Sequence, residues 1–233
     1  MRQLLRHLLL PAIGAFKACL IPFLTIQISA VILVVAYFQF PAVQRAADHI
    51  GSLKAQTGLW FSFVGYAVLC ALLPEFVRLI LGQLKRVDLE WLGARAYVGF
   101  VYGLLGVFTD VFYGFLARTV GTDNAIGTML QKSAIDMLGA TPLVFVPASM
   151  WLLGWRAASW DFRALLKPAT GKFWLDEVVP GVGVAWSYWF PLTFCIYALP
   201  SALQLPFAML CAAAYSLLFV TLAGRIHSAT EVD

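Results

Sequence analysis

The sequence predicts an all-α protein, a polytopic transmembrane helical bundle with about six hydrophobic segments and an interfacial amphipathic helix. Hydrophobic residues make up 61% of the 233 residues and charged residues only 12%, whereas a soluble domain is close to half apolar and a quarter charged. Several apolar runs also reach the ~20 residues that a helix needs to cross a bilayer. Because these runs fill most of the chain, we expect a single integral membrane domain over residues 1–233.

The hydrophobic segments follow one another with short connections. The first is too long for the apolar core of a cleaved signal peptide, and no small-residue cleavage site follows it, so we expect it to be retained. Pro200 separates the last two, and proline removes a backbone donor and bends helices. We favour two spans joined by a tight turn there; the alternative is one kinked span plus a surface helix. The predicted spans are residues 18–40, 58–81, 97–117, 133–154, 182–199 and 201–223.

The longest connection, residues 155–181, mixes aromatic and basic side chains. This composition is typical of a helix that lies in the plane of the membrane interface, with its aromatic face toward the acyl chains and its basic face toward the headgroups. We therefore expect the lipid bilayer to be a partner of this segment.

Basic residues are distributed unequally between the two sides of the predicted bundle. Loops on the cytoplasmic or matrix side carry the excess of lysine and arginine, so both termini are expected on that side. With alternating spans, that side carries Arg2, Arg6, Lys17, Lys85, Arg86, Arg95, Arg156, Arg163, Lys167, Lys172 and Arg225, and the opposite side carries Arg45, Lys54, Arg118 and Lys132.

Motifs for cofactors and catalysis are missing from the sequence. The four cysteines are scattered without a CxxC pair, and the three histidines have no nearby ligand set, so we expect no metal site and no cofactor. Gly171-Lys172 lacks the remaining residues of a phosphate loop. No aromatic and basic groove suggests a nucleic-acid partner. No activated nucleophile or separated acid–base carboxylate pair is present, so no enzymatic activity is predicted.

Ionisable residues inside the spans are informative because each costs about 2.5–3.5 kcal/mol at a helix centre on insertion scales. Glu75 and Arg78 are three residues apart and share a helix face, which predicts a structural ion pair. They lie near the positive end of the second span.

Asp110 lies well inside the third span, on the half opposite to Glu75. A carboxylate there is expected to face the bundle interior or a wet cavity, with Lys132 as its cationic partner. Lys132 and Asp136 are four residues apart at the start of the fourth span, and Arg118 follows Asp110 at a similar depth. We consider two interpretations of this set: an interhelical bridge, and the lining of a polar path for small solutes.

Glycines recur at helical spacing on the third span. Gly99, Gly103 and Gly106 leave room for a neighbouring backbone to approach closely in lipid. Their predicted role is helix packing.

Two stretches resemble the Mpv-seventeen and peroxisomal-membrane-protein-twenty-two family of small helical membrane proteins. The first is GLLGVFTDVFY and the second is KSAIDMLGATP, and the resemblance covers about residues 95–224. Val107, Asp110 and Phe112 replace residues that are common in the family. The matching residues are Gly106, Tyr113, Lys132, Asp136, Pro142, Trp189, Pro191 and Pro200.

Two alignments are open before residue 95. Pro22 with Thr25 matches the first span of the family, and Tyr66 with Pro74 offers a competing match. Either alignment leaves this chain with one additional hydrophobic run.

The resemblance implies an inner-membrane protein that acts as a weakly selective channel for small solutes or metabolites. It implies the mitochondrial inner membrane, with the termini in the matrix; a peroxisomal or bacterial plasma membrane is the alternative. Asp110, Met137 and Gln204 stand where the family commonly has a pore-side histidine, glutamine and arginine. Because these positions are altered, a non-catalytic accessory subunit of a larger, respiratory-type inner-membrane complex is the second hypothesis. Its partners would be other membrane subunits or further copies of this chain.

Overall fold

The computed structural model describes the backbone of residues 2–80, 82 and 87–230, and the side-chain surroundings of residues 20–80, 82 and 87–217. This part of the chain contains helices and no β-strand, as the sequence predicts. The helices are α1 (Arg2–Gln39), α2 (Pro41–Thr57), α3 (Leu59–Ile80), α4 (Leu89–Thr119), α5 (Ile126–Ala157), a 3-10 helix (Phe162–Ala169), α6 (Gly171–Ala198) and α7 (Ser201–Thr230).

Five helical segments within the described residues are long and apolar enough to cross a membrane, which supports a membrane protein. A sixth apolar helix, Ser201–Leu217, is shorter within the residues whose side chains are described, and the predicted sixth span, 201–223, runs beyond them. The predicted positive-side residues Arg2, Arg6, Lys17, Lys85, Arg86 and Arg225 also lie outside those residues. The five segments are Leu20–Gln39, Leu59–Ile80, Leu89–Thr119, Ile126–Ala157 and Gly171–Ala198.

The chain breaks between α6 and α7 at Leu199 and Pro200. Leu199 is extended, with φ −85° and ψ 154°, because a residue that precedes proline is disfavoured in the helical region. The predicted break of the chain at Pro200 is therefore present, and the crossing of the membrane by both helices stays a prediction.

Helix α6 begins earlier than predicted, at Gly171 instead of residue 182. The Thr170 hydroxyl accepts a hydrogen bond from the Phe173 N–H at 3.3 Å and caps the new start, which satisfies one of the amides that a helix start leaves open. The predicted interfacial helix is correspondingly short: the 3-10 helix Phe162–Ala169 has eight residues. Phe162 and Leu166 on it are strongly exposed.

The chain forms two compact units, whereas the sequence analysis treats it as one domain. The first unit contains residues 1–35 and 116–200, and the second contains residues 36–115 and 201–233. The division falls within α1 and α4, so hydropathy alone does not indicate it.

In the first unit, α1, α5 and α6 share a core. The Phe23 ring meets the Tyr188 ring edge-on at 5.5 Å between centroids, and Tyr188 and Leu192 are fully buried. The Trp186 indole N–H donates to the Met137 carbonyl at 2.6 Å, which joins α6 to α5.

In the second unit, the glycines of α4 pack against α3. A Cβ added at Gly99 would make ordinary contact with the side chain of Ala67, but one added at Gly103 would lie 2.7 Å from the ring of Phe63. One added at Gly106 would lie 2.7 Å from the backbone oxygen of Ser62 and 2.6 Å from the ring of Tyr66. Only glycine allows this separation of the two helices.

Gly106→Ala is therefore expected to destabilise the protein by about 2 kcal/mol, because the added methyl meets a backbone atom that cannot rotate away. Gly114 on the same helix provides the control, since a Cβ there meets no atom within 4 Å. Gly114→Ala should be neutral or stabilising by less than about 1 kcal/mol. Denaturant titration in detergent micelles measures both variants; equal destabilisation would contradict the packing assignment.

Candidate functional site

Polar side chains form three clusters within the two units, each around a carboxylate that is mostly or fully buried. We name each after its carboxylate: the Asp110 cluster (Lys54, Ser62, Asp110), the Glu75 cluster (Glu75, Arg78, Trp91, Arg95) and the Asp136 cluster (Lys132, Asp136, Thr141, Tyr197).

The Asp110 cluster joins α2, α3 and α4 in the second unit. Asp110 Oδ1 lies 2.8 Å from Lys54 Nζ, and Asp110 Oδ2 accepts a hydrogen bond from the Ser62 hydroxyl at 2.5 Å. Its ion-pair partner within the second unit is thus Lys54, whereas the sequence predicts Lys132. Residues 41–57 are too polar to be recognised as a span, so Lys54 does not stand out in the sequence as a candidate.

The end of α2 places Lys54 beside Asp110. Proline is favoured at the first position of a helix, which Pro41 occupies. Gly58 has φ +58°, and its N–H donates to the Lys54 carbonyl at 2.8 Å. Glycine tolerates this positive φ because it has no Cβ, so α2 ends here and the lysine lies in its last turn.

The Glu75 cluster joins α3 and α4, also in the second unit. Glu75 is 4% exposed, and its Oε1 lies 3.3 Å from Arg78 Nη1 and 2.8 Å from Arg95 Nη1. The Trp91 indole N–H donates to Glu75 Oε2 at 3.4 Å. The predicted pair with Arg78 is present, and Arg95 is a shorter contact that sequence reasoning missed. The sequence predicts Arg95 on the positive side and Arg78 near the positive end of its span, so their similar depth in the membrane is a signal for this contact.

The Asp136 cluster joins α5 and α6 in the first unit. Asp136 is 4% exposed. Its Oδ2 accepts a hydrogen bond from the Tyr197 hydroxyl at 2.7 Å, and its Oδ1 accepts a longer one from the Thr141 hydroxyl at 3.4 Å. Neither partner was predicted, because Tyr197 is on another helix and Thr141 is five residues away.

A π-helical stretch of α5, Asp136–Phe145, explains the contact with Thr141. In a π-helix the hydrogen bonds connect residues five apart, so Asp136 and Thr141 are aligned, whereas an α-helix would direct them to different faces. Such stretches occur frequently at functional sites.

Lys132 differs from the cations of the other two clusters. The side chain is 1% exposed, yet it forms no ion pair or hydrogen bond with any residue whose side chain the structure describes. Its ammonium instead lies 5.8 Å from the centre of the Tyr197 ring, within the range of a cation–π contact. Tyr197 thus presents its ring to Lys132 and its hydroxyl to Asp136.

Two further charged residues of the first unit lie at the end of α4 and in the connection from α4 to α5. Arg118 is exposed near the end of α4. The pKa of the Asp123 carboxyl is lowered by a hydrogen bond from the Thr128 side chain, by one from the Ala125 N–H at 2.9 Å, and by the positive charge of Lys132. A carboxylate therefore faces the start of α5 at neutral pH.

Asp110 belongs to the second unit, and the other three residues of the predicted set, Arg118, Lys132 and Asp136, belong to the first. Lys132 and Asp136 are buried on one helix, whereas Arg118 is exposed. We therefore take the Asp136 cluster as the candidate site.

No protein-family model matches the sequence, and no curated protein or solved structure matches it either. The geometry of the site thus carries the functional argument. Among the described residues, no group of three or more histidine, cysteine, aspartate or glutamate side chains is placed to hold a metal ion.

The chemistry available at the Asp136 cluster is that of a polar binding site. Lys132 offers up to three N–H donors with a positive charge, Asp136 provides a negative charge, and Tyr197 and Thr141 fix the orientation of that carboxylate. Charges at this depth are stabilised by pairing or by contact with water or a solute.

Proposed function

We propose that this chain is an integral inner-membrane protein that allows weakly selective passage of small polar solutes or metabolites. The observation that carries the proposal is the buried Lys132 side chain, which forms no ion pair with the described residues and lies one helical turn from the buried Asp136. A buried cation without an ion pair is costly, and a polar solute or water that enters the cluster offsets this cost.

Transport here requires only a lower barrier for a polar molecule. Fixed charges and hydrogen-bonding groups replace part of the hydration shell that the solute loses on leaving water. Lys132 and Asp136 provide charges of opposite sign near each other, which suits broad selectivity.

The mitochondrial inner membrane, with both termini in the matrix, is the proposed location. The asymmetry of lysine and arginine between the predicted loops supports the orientation, and the resemblance of residues 95–224 to the Mpv-seventeen family supports the membrane.

The test is release of a small labelled neutral solute, glycerol, from liposomes containing the purified full-length chain. We expect faster release than from protein-free liposomes. Asp136→Asn should slow release by about tenfold, because hydrogen bonds to charged groups contribute about 1.5–3 kcal/mol.

Ser133→Ala is the matched control for Asp136→Asn. Ser133 is also buried on α5, at 2% exposure, and its hydroxyl has no hydrogen-bond partner among the described residues. Its removal should leave release within about twofold of the wild type, since no hydrogen bond is lost. Wild-type release at the rate of protein-free liposomes would overturn the proposal.

A non-catalytic accessory subunit of a larger inner-membrane complex is the second candidate. The observation in its favour is that Asp110 and Glu75 are both neutralised by cations within their own unit, which is the geometry of bridges that fix helix register. Native gel electrophoresis after gentle detergent extraction distinguishes the two candidates. Migration only within a much larger assembly supports the subunit, whereas migration alone or as a small homo-oligomer supports the channel.

A further inference from the structure

We propose that Lys132 binds the carboxylate group of a small monocarboxylate solute; the inference rests on the proposed transport function and names its substrate class.

The Lys132 ammonium has N–H donors that no described side chain or backbone group accepts. The cation–π contact with Tyr197, at 5.8 Å, contributes electrostatic attraction but provides no lone pair for these donors. A ligand that completes this environment must therefore supply acceptor oxygens.

The carboxylate one helical turn along the chain, Asp136, forms no ion pair with Lys132 and accepts hydrogen bonds from two other side chains. Asp136 uses one oxygen for the Tyr197 hydroxyl and the other for the Thr141 hydroxyl. Because Tyr197 directs its hydroxyl proton to Asp136, it holds the carboxylate in place beside Lys132. An incoming oxyanion can then pair with Lys132 without displacing these hydrogen bonds.

The charge balance disfavours a ligand with two negative charges more strongly than a ligand with one. Lys132 and Asp136 together are neutral when both are ionised, and Asp123 adds a negative charge near the start of α5. A second charge on the ligand would be repelled by these carboxylates, since like charges in a medium of low dielectric interact strongly. A carboxylate is consequently preferred over doubly charged phosphate.

The experiment measures reversal potentials in planar bilayers that contain the full-length protein. Potassium acetate and potassium phosphate gradients at mildly alkaline pH, where most phosphate is doubly charged, give the permeability of each anion relative to potassium. For the wild type we expect acetate to be more permeant than phosphate. Lys132→Met should reduce the acetate-to-potassium ratio by about tenfold, because a charge-assisted hydrogen bond is lost. Lys132→Arg keeps the positive charge and should reduce the acetate-to-potassium ratio less than Lys132→Met does.

Lys132→Met should also keep or raise the thermal midpoint, because it removes a buried charge that has no partner and keeps a similar side-chain length. Channels that conduct with an unchanged acetate ratio in Lys132→Met would overturn the inference and leave the transport function standing. A complete absence of conductance and of glycerol release in the wild type would overturn the transport function itself.

A phosphate group of a lipid is another source of oxyanion for Lys132. The recordings are therefore repeated in phosphatidylcholine alone and with phosphatidylglycerol added. We expect the effect of Lys132→Met on the acetate ratio in both bilayers. If Lys132→Met changes the acetate ratio only in the bilayer that contains phosphatidylglycerol, the lysine binds a lipid phosphate and the solute assignment is overturned.

Discussion

Glu75→Ala is expected to lower the free energy of unfolding by about 2 kcal/mol, less than the loss of one partner of a fully buried ion pair, because the two arginines left behind are partly exposed to water. Glu75 is 4% exposed and receives Arg95 at 2.8 Å and Arg78 at 3.3 Å. Without its carboxylate, Arg78 and Arg95 lose the anion that they share. Titration of the purified protein with a denaturing detergent in mixed micelles measures the loss.

The loss of stability in each arginine variant should be smaller the more exposed the removed side chain is. Arg95 is 23% exposed and Arg78 is 39% exposed, and water compensates the loss of an ion pair more fully at the exposed position. Arg95→Met should therefore cost more than Arg78→Met. Glu90→Ala is the control, because Glu90 is exposed on α4 and such substitutions usually stay within about 0.5 kcal/mol. A loss for Glu75→Ala no larger than that of the control would contradict the assignment.

The apolar segments could be predicted from the sequence because length and hydropathy are local properties. The start of α6 could not, since it depends on the Thr170 cap and on a π-helical turn, Trp174–Val178, that lets the helix run on to Pro180 and beyond. The hydropathy pattern changes near residue 182 even though the helix does not. Boundaries that are set by capping and helix pitch are therefore less visible than the spans themselves.

Contacts between residues on one face of the same helix could also be predicted from the sequence, as the pair of Glu75 and Arg78 shows. Contacts between helices were not, because they depend on how faces rotate toward one another. Lys54 and Asp110 had been assigned to the same side of the membrane, so charge and depth could have identified this pair once residues 41–57 were recognised as a helix. Tyr197 gave no such signal, since an aromatic residue in an apolar run is usually part of a packed core.

Lys54→Met is expected to cost about 3 kcal/mol, and Asp110→Asn less, about 1–2 kcal/mol. Lys54→Met leaves the short Asp110 side chain, 12% exposed, with its charge uncompensated; after Asp110→Asn, the longer Lys54 side chain, 20% exposed, can turn its ammonium toward water. The same micelle titration measures both variants, with Arg45→Met on the exposed face of α2 as control.

The double variant Lys54→Met with Asp110→Asn isolates the ion pair. If the Asp110 cluster is a bridge, the double variant should recover most of the loss of Lys54→Met, because no unpaired charge remains. Release of glycerol from liposomes per folded protein should then be unchanged in Asp110→Asn. Additive losses would show that the two residues act independently. Slower release in Asp110→Asn would instead assign Asp110 to the solute path, because a bridge that only fixes helix register does not contact the solute.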